Sequence, residues 1–185
     1  MDELQMNIPK KKNVFLMVLL CVATLGIYSG FWFIKRVPEL NNLGTKSKAG
    51  KGLAIFYLIC WILFLISAIT MVVITQMEGI SGKEAITDFK DVSIGFLISF
   101  FSAIAFLPIA LISLIALSFK DRGILNQALI NKGSNIKISG FYTFVFTNYY
   151  LQYEINRISD DKEENGRLGP LLLFFLILLA ALSMT

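Results

Sequence analysis

Five stretches of this chain carry no charged side chain: residues 14–34, 53–77, 92–119, 138–153 and 168–185, of 21, 25, 28, 16 and 18 residues. A helix of that length on the surface of a water-soluble domain needs a charged or polar face. These have none. All the charge is pushed into the segments between them, and only 16% of the chain is charged while 56% is hydrophobic. Soluble domains carry about 25% charged residues. The pattern excludes a disordered chain, a coiled coil and a soluble enzyme of ordinary composition. It predicts an all-α integral membrane protein: a single membrane domain over residues 1–185, with three to five membrane-embedded helices, some of them re-entrant or interfacial.

The residues that are missing narrow the chemistry. There is no histidine, which removes imidazole bases and the commonest zinc and haem ligands. Cys21 and Cys60 sit in two different apolar runs, without C-x-x-C spacing, and read as small packing residues. The sequence therefore implies no cofactor and no metal. The formal net charge of +4 could suggest nucleic acid. In a chain this apolar, basic loops instead mark the cytoplasmic side of a bilayer, with anionic head groups as partner.

Lys10, Lys11 and Lys12 before an apolar run resemble the start of a signal peptide, but no convincing small-x-small cleavage site follows and the apolar run continues to Ile34. The segment reads as uncleaved. Runs 53–77 and 92–119 are long enough to cross a hydrocarbon core of roughly 30 Å, and Pro108 should kink the second. Residues 120–137 read as a surface segment containing a short interfacial helix, with Leu125, Ala128 and Leu129 on one face and Gly133 as its stop. Run 138–153 is marginal for a span. Residues 157–167, with four carboxylates, belong in water, and run 168–185 just reaches across if Pro170 lies in its first turn.

Lys and Arg concentrate on the cytoplasmic side, so their distribution scores each topology. If all five runs cross, the two sides hold 8 and 9, which is no bias. If only 138–153 fails to cross, the split is 12 against 5, with the N-terminus outside; if 14–34 also fails to cross, it is 15 against 2. The last arrangement has the strongest bias, with three spans, although a 21-residue apolar run ordinarily crosses. Both biased arrangements make loops 35–52 and 120–137 cytoplasmic and place loop 78–91 outside.

Candidate contact residues come from two places. Gly26 and Gly30 form a G-x-x-x-G, which either opens a flat stripe for another helix backbone or breaks the helix. Tyr28 and Trp32, one turn apart, read as interfacial anchors. In the second place, Asn148, Gln152 and Asn156 recur at i, i+4 and i+8, a carboxamide stripe able to donate and accept hydrogen bonds but not to do acid–base work. Glu154 has Arg157 one turn away as a salt-bridge partner. The stripe suits structural bracing, or contact with lipid or a partner protein. Residues 44–52 (GTKSKAGKG) fail as a phosphate-binding loop: five residues separate Gly44 from Gly50, and Gly52 replaces the Ser or Thr that would meet magnesium. No Asp, Glu, Lys or Arg lies within any run, so the usual signature of an ion-coupled transporter is missing.

Two stretches carry a resemblance. Thr24-Leu25-Gly26-Ile27-Tyr28-Ser29-Gly30-Phe31-Trp32-Phe33, then Lys35-Arg36 and Glu39-Leu40-Asn41, is similar to the T-x-G-I-Y turn, aromatic-Trp-aromatic step, basic residue and E-L-N of a bacterial membrane family, domain of unknown function (DUF) 4234. Tyr150-Leu151-Gln152-Tyr153-Glu154-Ile155-Asn156-Arg157 resembles the L-Q-x-x-hydrophobic-N ending of its members. The resemblance implies a small inner-membrane protein of unknown activity and carries over no catalytic residue. The expectation is a multi-pass protein of the bacterial plasma membrane, non-enzymatic, packing against a membrane-protein partner or a second copy of itself. The alternatives are a small channel or solute transporter with Pro108 shaping a pore helix, and an interfacial lipid-modifying enzyme using Glu154 or Asp121.

Overall fold

A computed structural model describes residues 9–77 and 93–159. Among them the chain is all-helical: α1 (Val14–Ala23), α2 (Ile27–Asn41), α3 (Lys51–Met77), α4 (Ile94–Asn131) and α5 (Gly140–Ser159). Loop 78–91 and run 168–185 fall outside the described residues.

Run 14–34 is not one helix. Asn13 caps α1 by accepting from the Leu16 N–H at 3.2 Å. After ten residues the chain turns at Leu25 and Gly26, which have φ of 48° and 89°. The Gly26 N–H returns to the Cys21 carbonyl at 2.7 Å, closing α1 in the manner of a left-handed helix stop. The Thr24 hydroxyl accepts from the Tyr28 N–H at 3.0 Å and starts α2. Only glycine takes Gly26's dihedral freely, and a Cβ there would lie 2.8 Å from the Trp61 ring.

α3 and α4 form an antiparallel pair. Gly95 lies beside Ile74 near one end, and Gly50, just before α3, lies near Lys120. At 27 and 38 residues, both are long and apolar enough to cross a membrane. α4 outruns its partner. The short helix expected within 120–137 is instead the last third of α4, which passes Pro108 and Lys120 without interruption. Its Leu125–Ala128–Leu129 face is buried in the protein rather than lying on an interface. Helix continuity explains this difference: nothing between Phe119 and Asn131 breaks it, and Gly133 (φ 73°) stops it where expected, its N–H bonding the Ile130 carbonyl at 2.9 Å.

The molecule thus divides in two. A leg consists of the parts of α3 after Cys60 and of α4 before Ala110. A head gathers α1, α2, the start of α3, the overhanging end of α4, and α5. Every buried residue of α3 lies at or before Cys60, and every one of α4 except Ser99 at or after Ala110. The core is in the head. In the most apolar windows of α3 and α4, 11% and 17% of residues are buried.

Candidate functional site: a polar hub that holds the N-terminal segment

Gly30 brings α2 hard against α3. A Cβ there would stand 2.4 Å from the Leu58 side chain. The two glycines of the G-x-x-x-G therefore have different jobs: Gly26 turns the chain and Gly30 admits a neighbouring helix, that neighbour being this chain's own α3. Two side chains of α3 fasten the turn, since the Trp61 indole donates to the Leu25 carbonyl at 2.6 Å and the Tyr57 hydroxyl to the Gly26 carbonyl at 3.3 Å.

This approach sets the face of α2 that carries Trp32 and Arg36 against α5. Trp32 is 1% exposed and Arg36 0%. Trp32 is enclosed, not an anchor at a rim, while Tyr28 is half-buried. The Trp32 indole donates to Gln152 Oε1 at 3.0 Å, and an Arg36 amino group donates to the same oxygen. The guanidinium lies over the Trp32 ring, 5.6 Å from its centroid. It also pairs with Glu39 one turn on. Gln152 donates to Asn156 Oδ1 at 2.7 Å, joining two members of the carboxamide stripe.

Asn148 stands apart. It is buried next to Thr147, whose φ of 46° and ψ of −122° break α5 into two helical pieces. Its Oδ1 accepts from the Thr147 hydroxyl at 3.1 Å, while its Nδ2 has no acceptor. Glu154 is buried and pairs with Arg157 at 2.6 Å.

The hub closes on main chain. Lys10 donates its N–H to Glu39 Oε2 at 3.1 Å and receives the Arg36 Nη2 on its carbonyl at 2.6 Å. Lys12 donates its N–H to Asn156 Oδ1 at 3.1 Å and receives Asn156 Nδ2 on its carbonyl at 2.6 Å. Pro9 is buried beside a shallow apolar groove that it lines with Leu43, Leu125, Ala128, Leu129, Ile155 and Ile158. Below the hub, Asn41 grips Ala49, accepting from its N–H at 2.7 Å and donating to its carbonyl at 3.1 Å, which folds loop 42–49 against the head.

Burial lowers the pKa of Arg36, partly opposed by Glu39. Lys12 is also lowered, first by burial and then by the Arg36 charge. Asp121, 4% exposed on the overhanging end of α4, has its carboxyl pushed up to about 7 by burial. The three described carboxylates are thus withdrawn, two into ion pairs and one into the core. No carboxylate among the described residues is exposed, whereas nine lysines are.

Reading the sequence alone picked out Trp32, Gln152 and Asn156 but missed Arg36, Glu39 and the Lys10 and Lys12 main chain as their partners. The available signal was the spacing of Trp32, Arg36 and Glu39 at successive turns of one helix face. It could not say that α5 lies opposite.

Residues 12–76 match the model of the family described as Domain of unknown function (DUF4234). That span includes the Thr24–Gly26 turn, Trp32, Arg36 and Glu39, while Gln152 and Asn156 lie beyond it. No curated protein and no solved structure matches the chain.

Proposed function

We propose that this chain is a multi-pass protein of the bacterial plasma membrane and acts there as a non-enzymatic interaction module, with the leg in lipid and the head on the cytoplasmic face. The observation that carries the reading is the contrast in surface. Large apolar residues such as Ile66, Ile69, Ile98 and Phe101 are 55–64% exposed along the leg, which lipid solvates and water does not. Among the described residues, the exposed charge of the head is cationic, as expected for a surface beside anionic head groups.

At about 1.5 Å per residue α3 is about 40 Å long, enough to cross, and ten-residue α1 at about 15 Å is too short. The break at Gly26 and the packing of α5 into the head favour the arrangement with three spans, in which runs 14–34 and 138–153 stay on the cytoplasmic side. The overhanging end of α4, Asp121 included, then lies in the head outside the bilayer. Hub side chains are spent on one another and on main chain, an arrangement suited to bracing rather than catalysis.

Single cysteines in a chain carrying Cys21→Ala and Cys60→Ala test the placement. A membrane-impermeant maleimide is expected to label Ser47→Cys only from the cytoplasmic side and Ser81→Cys only from outside. Labelling of both from one side sinks it. Selective solute flux through liposomes containing the purified protein would favour the channel reading instead. The enzyme reading draws on the raised Asp121 carboxyl, and unchanged cellular function with Asp121→Asn and Glu154→Gln would remove it.

A further inference from the structure

The hub treats residues 9–12 as a ligand. Both the N–H and the C=O of Lys10 are bonded, by Glu39 and Arg36, and both those of Lys12, by Asn156. Reading alternate residues through their main chain is how an extended segment is recognised. Side-chain identity enters at Pro9, which is buried and lines the neighbouring apolar groove. A site built this way accepts any copy of the segment that reaches it.

The connection to this arm is short and held in an uncommon conformation. The arm runs into α1, and α1 joins α2 through Leu25 and Gly26, both at positive φ, the former disfavoured for a leucine. Short strained hinges favour exchange of the element they hold. Were α1 and α2 to align as one helix, Lys12 would lie about 36 Å from Arg36 along it, at roughly 1.5 Å per residue, beyond reach of its own groove. We infer that the groove between α2 and α5, formed by Arg36, Glu39, Gln152 and Asn156, is a main-chain recognition site that takes the Pro9–Lys12 arm of a second copy of this chain, giving an arm-exchanged dimer. The exchange preserves every hub contact while changing which copy supplies the arm, and it gives up the Trp61 and Tyr57 bonds to the turn. It deepens the interaction-module reading by naming the partner. Maleimide labelling tests membrane placement and the two measurements below test the partner, so the readings fail separately.

Two full-chain variants separate arm from groove. Lys10→Pro with Lys12→Pro removes both donated N–H groups and leaves the groove. Asn156→Ala damages the groove and leaves the arm. In detergent, a fluorescein-labelled peptide of residues 8–13 is expected to bind the double-proline variant saturably, and at least about tenfold more weakly when Asn156→Ala is added. Co-expressed under different tags, the double-proline copy and the Asn156→Ala copy should capture each other at least about tenfold above either variant's capture of itself. One then supplies the empty groove and the other the free arm. Absence of peptide binding, binding that ignores Asn156→Ala, or mutual capture no stronger than self-capture overturns the inference.

Discussion

The head and the leg are made of the same two long helices and obey different rules. In the head, α3 and α4 bury Tyr57, Leu117, Ile124 and Leu125 against α2 and α5, and shape matters at the scale of one methyl group. In the leg, residues of the same kind face outward and only need to match their solvent. Polar groups divide the same way. The head encloses a guanidinium, two carboxamides and two carboxylates, almost all partnered. The hydroxyls of the leg, such as Ser67 and Thr75, bond carbonyls one turn back in their own helices, each at 2.8 Å. A chain can satisfy lipid with composition alone, but a polar interior needs partners at fixed positions.

Four substitutions sharpen or break that contrast. The largest effect is expected for Arg36→Met, which strips a donor from Gln152, Glu39 and the Lys10 carbonyl at once. It should cost about 3 kcal/mol in thermal unfolding of the detergent-solubilised protein, and a loss under 0.5 kcal/mol would mean the hub contributes little. Ile66→Lys in the leg should cost a similar amount, about 3 kcal/mol, but in membrane insertion rather than in head stability. If it instead made the protein soluble without detergent, the leg would not be lipid-facing.

Gly30→Ala forces a methyl group into Leu58 and should cost about 2 kcal/mol. Adding Leu58→Ala should recover part of that loss, because the clash is between those two side chains. The smallest change is a gain. The Asp121 carboxyl, raised from 3.8 to about 7, holds its proton in the folded protein longer than in the unfolded chain. Its burial penalty is therefore absent below pH 3.8 and grows as pH rises toward about 7. Asp121→Asn should stabilise the protein by about 1 kcal/mol at pH 8 and hardly at all at pH 4, measured as the difference between two melting curves.

How far the molecule could be read in advance follows the same division. The leg was legible because apolar length is a local property: runs 53–77 and 92–119 announce α3 and α4 with no knowledge of what lies beside them. The left-handed stop at Gly133 was legible for the same reason. The head was legible only in fragments. Gly26 and Gly30 left two readings open, a break or a close approach, and each glycine takes one of them. Trp32 read as an interfacial anchor because an amphipathic ring beside Lys35 and Arg36 usually is one; what encloses it is Gln152, 120 residues away. Asn148 shared the period of Gln152 and Asn156 but not their network, since the break at Thr147 interrupts the helix that the period assumes.

By itself, then, the sequence determined which segments are long and apolar enough to cross a membrane, that a helix stops at Gly133, and how strongly positive charge concentrates between the apolar runs. These depend on each residue and its near neighbours. Only the tertiary structure decided that the first apolar run folds back on itself, that the fourth packs into the head, and that Arg36 meets Gln152 and the Lys10 carbonyl. Those contacts join positions as far as 120 residues apart, and hydrogen bonding depends on where groups meet in space, which no local pattern encodes.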